Sequence, residues 1–260
     1  MRERLGNLGY PLATAVVIVI AWLLATEVMK VPNYILPSLG QIGAALLRGY
    51  VQGEFWVHLF FTTQALVIGY VAGAVVGIAL GTLVSESDGF ERAVYPYVIA
   101  LQSMPKVALA PLVIVWFGFG IESKIVLVAL ICFFPIFVNT VSGIRSVDAD
   151  LIDLMRVFGR SRLDILLEVK LPHAATPIMA GMQIGVVLGL IGAVAGEFIA
   201  STRGLGFLIQ NAASALDLGV VFAALISLSA VGIVGTQLIR LAQLRLIFWE
   251  RRSAVDVESA

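Results

Sequence analysis

Two charged residues, Lys106 and Glu197, stand inside long apolar runs of this 260-residue chain. A charge at membrane depth is costly, so it faces a wet cavity, a partner or a ligand. Lys106 follows Pro105 and lies about 20 Å beyond Arg92 if the path is helical. There it can attract an anionic solute. The competing readings are a structural pair between Lys106 and Glu197, or Glu197 at the outer interface. Asn139, Thr140 and Gln183 are further polar residues in apolar segments, suited to interhelical hydrogen bonds or to solute contact. Met104 and Phe117 are candidates to line a gate. Bond-making chemistry has no such support. The single cysteine, Cys132, excludes an internal disulfide and a cysteine metal cage. His58 and His173 have no ligand spacing, and no Ser/His or Asp/Asp pair falls within the apolar runs. No metal or cofactor is expected. Zero net charge gives no reason to expect a nucleic-acid partner.

The elements that must position these residues follow from composition. The chain is 60% hydrophobic and 13% charged, against about 25% charged for a soluble domain. One soluble core cannot hide that much apolar surface, so the chain reads as an all-α polytopic membrane protein in contact with the lipid bilayer. Six spans are expected, roughly over residues 11–29, 59–84, 93–117, 124–144, 177–200 and 218–239. The first reads as a retained span, because no clean cleavage site follows it. Between the first two, Pro32 and Pro37 break the chain and Ser38 can cap a short helix from Leu39, outside the membrane or lying on it. The second span carries Gly69, Gly73, Gly77 and Gly81 at i+4 spacing, a bare face for close packing or for a solute route. The fifth carries a similar stripe from Gly181 to Gly196. The third is broken by Pro96, Pro105 and Pro111. Residues 85–92 read as a polar turn and residues 201–217 as a loop. Three regions are expected: an N-terminal transmembrane helix with an external or interfacial segment (1–58), a transmembrane core (59–250) that includes the polar loop 146–172, and a cytoplasmic tail (251–260).

Six spans put both termini on one side. With both inside, twelve of the 17 Lys and Arg residues fall on the cytoplasmic side, and Lys30, Arg48, Lys124 and Arg203 outside. The positive-inside bias therefore places both termini, and the polar stretch 146–172, in the cytoplasm. Within that stretch Leu151, Leu154, Met155 and Phe158 recur at helical spacing as one apolar stripe, flanked by Asp150, Asp153 and Arg156. Asp148 or Asp150 can cap its start, and Gly159 can end it. Ser161 can cap a second helix, which Leu171-Pro172 is expected to end. A short helix with an apolar stripe suits insertion into a partner's groove.

Asp153-Leu-Met, three residues, Gly159 and then Leu171-Pro172 resemble the EAA motif of bacterial ABC importer permeases: Glu-Ala-Ala, three residues, Gly, then Leu-Pro. Here the first three residues are bulkier. Ser103-Met-Pro-Lys, Trp116-Phe-Gly-Phe-Gly, Phe134-Pro-Ile-Phe-Val-Asn-Thr and Gly196-Glu-Phe-Ile-Ala-Ser resemble the nitrate/sulfonate/taurine branch, and the likeness runs from Leu59 onward. It implies a type I importer architecture in the bacterial inner membrane, with a cytoplasmic coupling helix between spans four and five. It also implies ATP-binding cassette ATPase subunits, a second copy of this chain and an external substrate-binding protein. ATP hydrolysis would fall to the partner, since the chain has no Gly-x-x-x-x-Gly-Lys-Ser/Thr loop. The coupling residues on this reading are Asp150, Asp153, Leu154, Met155, Arg156, Phe158, Gly159, Leu171 and Pro172. The pathway residues are Met104, Lys106, Asn139, Gln183 and Glu197.

The resemblance points to a small organic or inorganic anion, such as nitrate, a sulfonate, taurine or an aromatic acid, with a pyrimidine-type vitamin precursor as the alternative. A different class, a gradient-driven transporter or channel, favours midplane carboxylates and an inverted repeat. Glu197 is the one deep carboxylate, and no convincing repeat is visible.

Overall fold

The computed structural model describes residues 2–248. Eleven helices make up the described chain: α1 (Arg2–Leu23), α2 (Leu39–Val51), α3 (Glu54–Glu86), α4 (Asp88–Gln102), α5 (Ala110–Phe117), α6 (Ile121–Arg145), α7 (Ala149–Val157), α8 (Arg162–Ile165), α9 (Leu171–Ile199), α10 (Leu205–Ser214) and α11 (Leu218–Leu246). Wider π-type turns at Leu24–Val28 and Leu166–Lys170 extend α1 and join α8 to α9. The tail expected over residues 251–260 lies outside the described residues.

The apolar segments are of three kinds. Four helices are long and apolar enough to cross a bilayer: α3, α6, the continuous stretch Arg162–Ile199, and α11. A fifth crossing would be a broken one, α4 and the segment Lys106–Phe117 meeting at 93°. Leu12–Val28 is a shorter apolar helix. The break follows from Pro105, which has no N–H and disfavours a helical residue before it. Met104 N–H donates to Leu101 O at 3.3 Å in the last tight turn of α4, and the chain restarts as a short 3₁₀ turn, Lys106–Leu109.

α6 is the central rod. α3 packs on one side of it and α9 on the other, and each glycine stripe faces it. A Cβ at Gly69 would stand 2.5 Å from Ile125 O, and one at Gly73 2.6 Å from Ala129 O. On the opposite flank a Cβ at Gly181 would stand 2.8 Å from Pro135 O, and one at Gly189 2.5 Å from Cys132 Sγ. Both bare faces are thus filled by α6, the close approach that small residues permit between membrane helices. Leu66, Tyr70, Val128, Cys132, Ile136 and Val186 form the buried core between the three. Tyr70 Oη donates to Met182 O at 3.0 Å, which satisfies its hydroxyl.

Three sequence expectations are corrected. The polar turn over residues 85–92 shrinks to Ser87, whose Oγ accepts from Phe90 N–H, while α3 and α4 run up to it from both sides. The loop over residues 201–217 contains α10. Gly204, at φ +112°, makes the turn into it, and Leu205, Ile209 and Ala212 bury one helical face against α9, α11 and α3. Leu171-Pro172 does not end a helix, since the helix runs on from Arg162 to Ile199. Leu171 N–H reaches back five residues to Leu166 O, and this wider turn carries the helix through a proline lacking a donor. Packing favours the continuation: Ala174 is buried against Gly143 of α6.

Candidate functional site

The coupling stretch folds locally as its residues dictate. Asp148 Oδ1 accepts from Asp150 N–H at 2.9 Å and opens α7. Gly159, at φ +76°, closes it. Gly159 N–H donates to Arg156 O at 2.9 Å and Arg160 N–H to Met155 O at 3.1 Å, the paired bonds of a Schellman stop. Ser161 then starts α8 with a reciprocal capping box to Asp164.

The result is a short helix held away from the bundle. No residue of α7 is buried. Leu151, Leu154 and Phe158 are exposed, Phe158 to 73%, and Met155 is half-buried. Asp153 and Arg156 pair with each other at 2.9 Å on the exposed surface. Such a pair adds little stability, so the polar side as well as the apolar stripe remains open to a partner. Leu171 and Pro172 stand apart, at the root of α9.

The second feature is a cavity of about 420 Å3 where the bend after α4 meets α6 and α9, lined by Gln102, Lys106, Phe134, Asn139 and Ile184 among others. Lys106 Nζ donates to Gln102 O at 2.8 Å and lies 4.5 Å from the centre of the Phe134 ring, within cation–π range. Asn139 Nδ2 donates to Pro135 O at 2.8 Å, leaving its carbonyl end and one N–H for other partners. The cavity thus combines one cation, two amides and apolar walls. Sequence reasoning missed Gln102 and Phe134, although Gln102 lies one helical turn before Lys106 and Phe134 opens one of the motifs.

The structure separates the other sequence candidates from this cavity. Met104 sits exposed at the bend. Gln183 Nε2 donates to Gln243 Oε1 at 2.9 Å and ties α9 to α11. Glu197 is fully buried. It accepts from Thr62 Oγ1 at 2.7 Å and from Gly206 N–H at 2.7 Å, while Thr62 Oγ1 accepts from Leu205 N–H at 2.8 Å. The carboxylate thus fastens the first turn of α10 to α3 and α9. Lys106 is not its partner. The cation that acts on it is the buried Lys124, whose Nζ donates to Phe119 O and Ala200 O. Glu197→Ala should therefore destabilise the protein by about 3 kcal/mol, because it strands the Gly206 N–H and the Thr62 hydroxyl. Thermal unfolding in detergent measures this, and an unchanged midpoint would refute the structural role. Among the described residues no three of His, Cys, Asp and Glu gather in a way that could hold a metal ion.

Comparisons with known proteins agree with this arrangement. The family model for the binding-protein-dependent transport system inner membrane component matches residues 66–247. A riboflavin transport system permease, RibX of Chloroflexus aurantiacus, is 34% identical over 94% of this chain and 90% of its own length. The formylaminopyrimidine transport permease ThiX of Halalkalibacterium halodurans is 32% identical over 90% of this chain and 93% of its own. The putative aliphatic sulfonates transport permease SsuC of Escherichia coli is 35% identical over 83% of this chain and 82% of its own. In fold, the chain is similar to a subunit of the inward-facing MetNI methionine ABC transporter, with a TM-score of 0.62 over 73% of this chain and 97% of that one at 17% identity. With most of its length matched by that family model and by full-length relatives, this chain belongs to the binding-protein-dependent transport system inner membrane components, the multi-pass permease subunits of ABC transporters that rely on a partner subunit for ATP hydrolysis.

Proposed function

We propose that this chain conducts a small anionic solute inward past Lys106, with α7 docking on the ATPase and a second copy of the chain completing the pathway. The observation that carries the solute reading is the cavity at the bend, where Lys106 is the only charged residue among the described residues of a mostly apolar lining. A sulfonate or carboxylate with a compact apolar body fits that combination: the cation and the amides of Gln102 and Asn139 meet the head, and Phe134 meets the body. Docking is supported by the uncovered stripe of Leu151, Leu154 and Phe158 beside Asp150, Asp153 and Arg156. A second copy is supported by the exposed row Leu112, Val115 and Trp116 on α5, next to the bend. A cytoplasmic position for both termini is supported by the basic residues Arg145, Arg156, Arg160, Arg162 and Lys170, gathered around the coupling stretch. On this reading residues 59–250 form the permeation core, and residues 1–58 an N-terminal addition.

The names of the relatives span riboflavin, a formylaminopyrimidine, aliphatic sulfonates and taurine at 31–35% identity, so solute charge is the property to test. The chain is co-expressed with its ATPase and binding protein and reconstituted in vesicles. Lys106→Ala should lower uptake of a sulfonate or taurine about tenfold, equivalent to about 1.4 kcal/mol, while ATPase co-purification stays intact. Sulfonate uptake unchanged by the substitution, or transport of riboflavin or a formylaminopyrimidine alone, would overturn the anion reading.

A further inference from the structure

α7 does not lean on the membrane helices. A cleft of about 400 Å3 lies between the α7–α8 segment and the α3–α4 turn, with Ile152, Arg156, Arg162 and Ile165 on one wall and Ser85 to Asp88 on the other. A push on α7 therefore meets this cleft rather than a filled interface on its way to α4. Both roots of the coupling stretch are nonetheless tied to the α3–α4 hairpin. At the entry, Arg145, the last residue of α6, pairs with Glu91 of α4 at 2.6 Å, and its guanidinium lies 5.8 Å from the ring centre of Tyr95. At the exit, Lys170, just before α9, pairs with Glu86, the last residue of α3, at 2.6 Å. This second pair is well shielded, with side chains 17% and 23% exposed, so salt and solvent weaken it less than an open surface pair. A third pair, Arg160 to Glu168 at 3.2 Å, joins the turn after Gly159 to the same exit root.

We infer that Glu86–Lys170 and Glu91–Arg145 are the positioning links through which movement of the coupling stretch reaches the broken span and its Lys106 cavity. The inference rests on the docking reading of α7 and adds the route. A displacement of α7 passes through Arg160 and Glu168 to the wide turn Leu166–Lys170, and through Lys170 and Glu86 to the hairpin. α4 is one continuous helix from Asp88 to Gln102, unbroken at Pro96, and it ends at the bend where Lys106 begins the next segment. Tilting that helix through Glu91, and through Glu86 just before it, opens or closes the cavity at its far end. The two ion pairs supply what the cleft withholds, contact on both sides of the coupling stretch. They also leave the stretch free to rotate between them, because neither involves α7 itself.

The test uses the full complex in vesicles and reads solute taken up per ATP hydrolysed. Glu86→Lys and Lys170→Glu should each lower that ratio about tenfold, within the range of coupling between linked sites, with the ATPase still bound. The double exchange E86K/K170E should recover most of the loss, a rescue that simple destabilisation would not give. Glu91→Arg, Arg145→Glu and their double exchange should repeat the pattern. If a charge reversal fails to reach the membrane, Glu86→Gln and Lys170→Gln take its place, and each should lower the ratio; a ratio unchanged by both would overturn the inference. A ratio unchanged by the single substitutions, or unrestored by the exchanges, would overturn the inference. Co-purification separates this from the reading beneath it: an ATPase that never binds the unaltered chain defeats docking, whereas one that binds with an unchanged ratio in E86K defeats only the route.

Discussion

Gly159→Val is expected to lower coupled uptake sharply while the chain still reaches the membrane. Gly159 ends α7 at φ +76°, a region closed to β-branched residues except at a strain of about 1–3 kcal/mol. Apart from its own chain neighbours, no heavy atom stands within 4 Å of the Cβ that the substitution adds. The effect therefore comes from backbone conformation, not from crowding, and the turn must open to relieve it. Opening it breaks the bonds from Gly159 N–H to Arg156 O and from Arg160 N–H to Met155 O. It also re-aims Arg160 and moves α7 away from the position proposed for docking. Uptake should fall ten- to a hundredfold, about 1.4–2.8 kcal/mol of lost coupling. Gly159→Asn is the control, since asparagine tolerates the left-handed region and should keep most of the uptake. Full uptake in the valine variant would remove α7 from the coupling mechanism.

Gly73→Leu should produce a large loss of stability, because the added side chain meets the backbone of α6. The Cβ would stand 2.6 Å from Ala129 O and 3.1 Å from Ala129 Cα. Both are backbone atoms of α6, so no rotamer change can make room. α3 would have to shift away from α6, loosening the contacts of Leu66, Tyr70 and Ala74 with Val128, Cys132 and Ile136. Overpacking a well-filled core costs about 1–3 kcal/mol and more where only backbone can yield. The expected result is a sharply lower amount of folded protein in the membrane and a clearly lower unfolding midpoint in detergent. Gly43→Ala provides the comparison: nothing lies within 4 Å of the added Cβ there, and alanine is the better helix former. A Gly73→Leu protein that melts with the parent would show that α3 and α6 are not held in this close register.

The two expectations differ in how far the sequence alone supports them. Gly159 is a local matter. A helical stripe before it, a capping serine after it and a residue free to take positive φ define the turn without reference to the rest of the chain. The glycine stripes mark bare helix faces, but they do not name the helix that covers them. α6 covers both, through contacts between segments more than fifty residues apart for α3.

The same division runs through the whole protein. Apolar length, proline breaks and the caps at Ser38, Asp148 and Ser161 are properties of a few neighbouring residues, so composition and spacing determined the membrane class, the bend near Pro105 and the exposed short helix α7. Long-range packing decided the rest. The helix continues through Pro172 because Ala174 packs against Gly143 and a wide turn absorbs the missing donor. α10 forms because Leu205, Ile209 and Ala212 find a buried face. Glu197 finds Thr62 across 135 residues, away from Lys106, while Lys106 and Asn139 meet at one cavity. A charge in an apolar run announces that it must be neutralised or solvated. Which group does so depends on which helices stand beside it, and only the tertiary structure specifies that.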